Sequence, residues 1–175
     1  GCRNCYAETI AGRFSGPGQP FAGFATQTRD GGRWTGRVEL VEQRLALPLR
    51  WRKPARIFVN SAFDLFHEQI ADDVIDCVFA VMALAPRHTF QVLTKRAKRM
   101  RSYFAASPWR RIKDRAFEII PGDVFEAFDR ADQAVAESPL RNVWLGVSVE
   151  DQTRADERIP DLLATPAALR FVSAE

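Results

Sequence analysis

A length of 175 residues suits one domain of ordinary size or part of a larger one, and 46 % apolar residues are enough for a real core. The net charge of +3 with a pI near 9.0 permits an anionic partner without demanding one. No run approaches the roughly 18 apolar residues of a spanning helix, and the N-terminus lacks a basic region followed by an apolar run, so the composition predicts no membrane association and no signal peptide.

A cytoplasmic, reducing setting follows, in which Cys2, Cys5 and Cys77 read as metal or redox ligands plus a core residue and not as disulfide partners. The chain opens on Gly1-Cys2-Arg3-Asn4-Cys5, which puts two thiols about one helical turn apart. Read alone, the pair is the edge of a metal or cluster site, two thiols of a zinc site, or a chance spacing. It reads as the end of a longer cysteine motif, and with the apolar run ending at Glu175 it predicts a chain truncated at both sides.

Residues 2–14 read as a short helix and 15–36 as loop, because eight glycines and prolines crowd that segment. Residues 38–40 suit a short strand and 42–47 a helical turn before Pro48. A basic and aromatic patch, Leu49-Arg50-Trp51-Arg52-Lys53-Pro54, follows. The pattern then becomes regular. Residues 56–60 form a brief apolar, β-branched run. Residues 69–85 predict a strong helix with Ile70, Val74, Val78, Val81 and Met82 on one stripe and Asp72, Asp73 and Asp76 on the other side. Acids near its start suit the helix dipole, and Pro86 stops it. Residues 89–93 predict the next strand and 97–104 a basic helix. Two amphipathic pieces around Pro121-Gly122 predict a helical insertion over 107–138. Residues 142–147 predict a third strand, followed by a helix carrying Ala155, Ile159, Leu162 and Leu163 on one face. Residues 169–172 predict the fourth.

Strands alternating with helices predict βαβ units and a parallel sheet, and near-continuous apolar strands fit a sheet buried on both faces. The expected class is α/β: a single domain over 1–175 forming a partial (β/α) barrel of parallel strands, its first strand missing. An open doubly wound sheet is the other option, less favoured because no Gly-rich phosphate loop is present.

Each predicted strand ends in polar residues, and parallel strands carry such ends to one face, where barrels build active sites. Asn60, Ser61, Asp64, His67 and Glu68 follow the first strand. The neighbouring His67 and Glu68 suit proton transfer, or Asp64 caps a turn and His67 is a loop residue. Thr94-Lys95-Arg96 suits a carboxylate or phosphate, with Arg96 fit for a two-point grip. The basic stretch continues through Lys98, Arg99, Arg101, Arg110, Arg111, Lys113 and Arg115, with Tyr103, Phe104 and Trp109 among them. That mixture suits single-stranded nucleic acid, or it is a solvated helix face. Ser148, Glu150 and Asp151 end the third strand, where the two acids also stabilise a helix start. Ser173 ends the fourth.

Several long motifs carry a resemblance: Gly1-Cys2-Arg3-Asn4-Cys5-Tyr6-Ala7-Glu8, Ile57-Phe58-Val59-Asn60-Ser61, Asp64-Leu65-Phe66-His67-Glu68, Phe90-Gln91-Val92-Leu93-Thr94-Lys95-Arg96, Val143-Trp144-Leu145-Gly146-Val147-Ser148-Val149-Glu150 and Arg170-Phe171-Val172-Ser173. The chain resembles the phage-associated three-Cys-motif proteins (phage Gp37Gp68 type), an uncharacterised family similar to radical SAM enzymes. The resemblance covers most of the chain except about 15–35 and 105–140. It implies a radical SAM type barrel in which three cysteines hold a 4Fe-4S cluster, with one iron open to S-adenosylmethionine and a 5′-deoxyadenosyl radical as product. Cys2 and Cys5 match the last two cysteines, and the first belongs several residues upstream. The candidate cofactor-binding residues, taken from the strand ends, are Asn60, Ser61, Asp64, Thr94, Arg96, Ser148, Glu150 and Ser173, with Glu150 suited to ribose hydroxyls. His67, Glu68 and Lys95 are the candidate catalytic residues. The chain departs from the family at Ala174, where a cysteine is frequent, and in the insertion.

Two functional expectations stand side by side. One is a radical-SAM-like iron–sulfur enzyme of phage or mobile-element origin acting on nucleic acid or its constituents. The other is a non-catalytic nucleic-acid-binding barrel that has lost its cluster. The candidate partners are nucleic acid, S-adenosylmethionine and a protein encoded nearby.

Overall fold

A computed structural model describes residues 6–59, 63–121 and 123–174. The chain divides into two compact units, Gly1–Leu40 and Val41–Glu175.

In the first unit, helix α1 (Tyr6–Arg13) packs on a hairpin of β1 (Ala25–Thr28) and β2 (Gly31–Trp34), paired antiparallel from Ala25↔Trp34 to Thr28↔Gly31. Glycine density suggested loop here. Instead, Gly31 takes φ +113° at the turn, and Gly32 lets the helix backbone touch the strand. A Cβ on Gly32 would sit 2.0 Å from the carbonyl oxygen of Glu8, and one on Gly12 would sit 2.5 Å from the Gly32 Cα. Close approach of two backbones is what glycine inside a strand provides. The Glu8 carboxylate adds a hydrogen bond from the Trp34 backbone N–H at 2.9 Å. Residues 38–40 carry no strand.

The second unit is built on four parallel strands in the order β3 (Arg56–Val59), β4 (Thr89–Thr94), β5 (Val143–Val149) and β6 (Leu169–Ala174). Helix α4 (Asp72–Leu84) joins β3 to β4, and α8 (Gln152–Leu163) joins β5 to β6. Between β4 and β5 lie α5 (Ala97–Ala105), α6 (Trp109–Ile119) and α7 (Val124–Val135), while the four-residue turns α2 (Glu42–Leu45) and α3 (Leu47–Arg50) precede the sheet. The architecture is therefore mixed α/β with a parallel sheet.

Alternation along the strands sends Ile57, Val59, Phe90, Val92, Val143, Leu145 and Val147 to one face, where they pack in a single core with α4, α5, α6 and α8. Phe79 and Phe104 meet edge-to-face at 5.2 Å, and Tyr103 meets Phe104 at 5.1 Å. Burial contributes about 1.5–3 kcal/mol for each such ring, and the ring geometry about 0.5–1.5 kcal/mol more per pair. The opposite face carries Phe58, Gln91, Trp144 and Leu169 in one row and Leu93, Gly146 and Phe171 in the next. Gly146 has no room for a side chain, since a Cβ there would lie 2.5 Å from the Phe171 ring.

Helix α4 differs from its expected polarity. Its buried face is Ile75, Phe79 and Met82 together with Asp76, which is 2 % exposed. Asp76 turns inward because Tyr103 donates to it at 2.6 Å and Arg111 at 2.7 Å, tying α4 to α5 and α6. Burial, reinforced by the hydrogen bond to Asp76, pushes the Tyr103 pKa far up, so its hydroxyl stays a donor. Asn142 donates to the carbonyls of Met82 and Ala85, satisfying the end of α4 from the start of β5. In the 107–138 region, α6 and α7 meet through Ile112, Ala116, Ala127 and Ala131, while Phe125 is 82 % exposed. Cys77 is half-buried on α4, and burial pushes its thiol pKa up.

Candidate functional site

The carboxyl ends of the strands form a rim whose charges are stitched to one another. Asp64, in the loop after β3, organises it. One carboxylate oxygen accepts from the Phe66 backbone N–H at 3.0 Å and the Thr94 hydroxyl at 2.7 Å. The other accepts from the Lys95 backbone N–H at 2.9 Å and the Arg96 guanidinium at 3.0 Å. The bond from Phe66, two residues on, is the local turn that an Asp side chain forms with its own backbone. The same loop is nailed down by Leu65 and Phe66, both fully buried, and by Arg99 of α5. Arg99 donates to the carbonyls of His67 and Ile70 and pairs with Asp72 at 3.2 Å.

The next stitch runs from β4 to β5. Lys95 pairs with Glu150, whose second oxygen takes Arg158 of α8 at 2.9 Å. Arg158 also donates to the Ser148 carbonyl at 2.6 Å. Arg96 spans back to Glu68, donating from Nε to both carboxylate oxygens at 2.9 Å. Burial alone would raise the Glu150 pKa, but the hydrogen bond and charge of Lys95, with the charge of Arg158, hold it below the usual range. A backbone hydrogen bond and the Arg96 guanidinium lower Glu68. Burial opposes the charge on Arg96, but bonding to Glu68 and the nearby Asp64 outweigh it and raise its pKa. Both carboxylates are thus anionic and Arg96 is charged at neutral pH.

His67 Nδ1 accepts from the Gln69 backbone N–H at 3.2 Å, so a neutral ring carries its proton on Nε2, which lies 3.9 Å from Glu68. Ser148 is buried in β5, and Ser173 sits beside it in the ladder on β6, outside the ion pairs among the described residues. The structure thus brings together Asp64, Glu68, Thr94, Lys95, Arg96 and Glu150, with His67 at the edge. Cys2, Cys5, Asn60 and Ser61 lie outside the described residues, and no group of three potential metal-ligating side chains occurs within them.

Sequence reasoning missed Arg158 and placed Arg99 in a different role. Arg158 lies eight residues beyond Glu150, and Arg99 is 27 residues from Asp72, so only the βα crossovers bring them in. Arg99 and Arg111, both assigned to a basic nucleic-acid surface, are engaged internally, whereas Lys98 and Arg110 make no ion pair among the described residues.

Chemically the rim can exchange partners. An incoming carboxylate or phosphate can replace Glu150 on Lys95 and Arg158, or Glu68 on Arg96, through charge-assisted bonds. Fold and rim together define an α/β protein that presents matched charges at the carboxyl ends of parallel strands. The family model described as "Protein of unknown function (DUF5131)" matches residues 1–175, and the chain belongs to this uncharacterised family. That match carries neither radical SAM character nor a phage origin. No curated protein and no solved structure matches the chain. No described helix is long and apolar enough to cross a membrane.

Proposed function

We propose that the chain is the core of a radical-SAM-like iron–sulfur protein of phage or mobile-element origin, built on a partial (β/α) barrel and acting on nucleic acid or its constituents. The observation that carries the reading is the Cys2-x-x-Cys5 motif ahead of four parallel strands whose carboxyl ends share one charged rim. The sequential order β3-β4-β5-β6 supports the barrel, since a doubly wound sheet reverses its order at a switch point.

Two thiolates suit an iron–sulfur cluster in kind, and a 4Fe-4S cluster open at one iron takes three. Cys77 does not complete the set: it is half-buried on α4 and its pKa is raised by burial. On this reading the cluster takes a third ligand that Cys77 does not supply. The cluster, when bound, supplies the electron for reductive cleavage of S-adenosylmethionine. Lys95 and Arg96 then present charged donors to a carboxylate, Glu150 accepts from ribose hydroxyls, and His67 next to Glu68 holds a movable proton.

The test is anaerobic expression of the full reading frame with assay of bound iron and of 5′-deoxyadenosine release, alongside Cys2→Ser and Cys5→Ser. Iron that depends on both cysteines is the expected result. A colourless protein without iron overturns the reading.

A second reading, a nucleic-acid-binding barrel without a cluster, is favoured by the internal pairing of Lys95, Arg96, Glu68 and Glu150. Salt-dependent binding of single strands by an iron-free protein supports it.

A further inference from the structure

An open groove of about 420 Å³ runs between the start of α5 and the first turns of α8. Five cations line it: Lys95, Arg96, Lys98, Arg154 and Arg158. Its size is in the range of small-molecule sites. Four of the cations are held in place by carboxylates: Lys95 and Arg158 by Glu150, Arg96 by Asp64 and Glu68, and Arg154 by Glu157 at 2.6 Å. Lys98 has no ion pair among the described residues and is exposed at the mouth. Two carboxylates also line the groove, Glu157 and Asp161, the latter paired with Arg101 at 2.9 Å. The lining carries five positive side chains against two negative ones, and Glu150, Glu68 and Asp64 beside it pair with Lys95, Arg96 and Arg158. α5 begins in the groove with no side-chain cap on its first turn, an orientation that adds to the attraction for an anion.

We propose that this groove between α5 and α8 binds a phosphate group, either of a nucleotide or of a single-stranded nucleic acid, with Lys98 as its uncommitted cation and Arg154 and Arg158 on the opposite wall. A tetrahedral anion suits the place because its oxygens can meet cations from two walls at once, which the monodentate pair Arg154–Glu157 does not. The proposal deepens the nucleic-acid reading by locating where the backbone is held. It needs no cluster, so iron-free protein tests it independently of the enzymatic reading.

The experiment titrates the full chain into a short fluorescein-labelled single-stranded oligonucleotide and follows anisotropy over a range of salt. Unlabelled adenosine monophosphate and inorganic pyrophosphate serve as competitors. Lys98→Ala is expected to weaken binding about fivefold at low salt and to reduce the salt slope by about one. Glu157→Gln removes a groove carboxylate and frees Arg154, so it is expected to tighten binding by a similar factor. Both positions are exposed, which leaves folding intact. Arg110→Ala, a cation on α6 outside the groove with no ion pair among the described residues, is the control and is expected to change binding less than twofold. Competition by adenosine monophosphate as effective as by unlabelled strand assigns a nucleotide site. Competition only by the strand assigns a backbone track. Equal loss for Lys98→Ala and Arg110→Ala, no tightening by Glu157→Gln, or no binding at all overturns the proposal.

Discussion

Replacing Asp64 tests the rim most directly. Four donors converge on its carboxylate, and each bond to a charged group contributes about 1.5–3 kcal/mol net of the exchange with water. In Asp64→Ala two of the four partners recover. The Thr94 hydroxyl can turn to solvent, and Arg96 keeps Glu68 at 2.9 Å. The backbone N–H groups of Phe66 and Lys95 cannot, because the buried Leu65 and Phe66 fix the loop. Two stranded donors cost about 1–2 kcal/mol each. The Asp64 side chain is 14 % exposed, so some solvent reaches the site, and about 3 kcal/mol is the net expectation. For a chain of 175 residues that lowers the melting temperature by about 6–12 °C. Urea unfolding followed by circular dichroism measures it, with the slope unchanged if only native contacts are lost. Asp64→Asn is expected to cost somewhat less, since it keeps the shape and two acceptor positions. A cycle with Thr94→Val should show a coupling of about 1 kcal/mol. A loss below about 0.5 kcal/mol for Asp64→Ala would refute the reasoning, because it would mean that the loop and β4 do not depend on the carboxylate.

Three further outcomes are expected. Asp76→Ala should destabilise by about 3 kcal/mol by removing the hub between α4, α5 and α6, and Tyr103→Phe by only about 1 kcal/mol; equal losses in urea would show that the carboxylate is not the hub. Glu150 and Glu68 have folded pKa values below the ordinary 4.5, so their contribution is complete above that value and is lost as pH falls through the folded-state pKa. Glu150→Gln should accordingly flatten the fall of the urea midpoint between about pH 5 and pH 3, with an unchanged profile counting against the Lys95–Glu150–Arg158 linkage. Gly32→Ala should push α1 off the β1–β2 hairpin at a cost of about 1–3 kcal/mol, read as faster limited proteolysis within residues 1–40; protection equal to the parent would show that the two backbones are not in contact.

The parallel strands were legible as short runs rich in apolar residues at 56–59, 89–94, 143–149 and 169–174, but the expected burial on both faces holds for β5 and not for β3 or β6, where Phe58, Leu169 and Val172 are exposed. The polar residues after each run were legible for the same reason, since the direction of parallel strands carries them to one edge. The β1–β2 hairpin was not, because glycine density reads as loop whether the missing side chain serves a turn, as at Gly31, or a close packing contact, as at Gly32. The inward turn of Asp76 was hidden too. Its partners lie 27 and 35 residues away, and a helical stripe assigns an acid to solvent by default. Arg99 and Arg158 look like surface charge along the chain, and only the crossovers show what they hold.

The stitches on the rim are consecutive: the β3 loop grips the end of β4 through Asp64, and the end of β4 grips the end of β5 through Lys95 and Glu150. The strand ends are thus linked into a single lip. Two neighbours, Lys95 and Arg96, pair with different carboxylates along this lip. A charge change at position 64 is then felt at Arg96, and one at 150 at both Lys95 and Arg158. The charges of the rim are therefore coupled sets, and a change at one position is read at its partners on the neighbouring strand end.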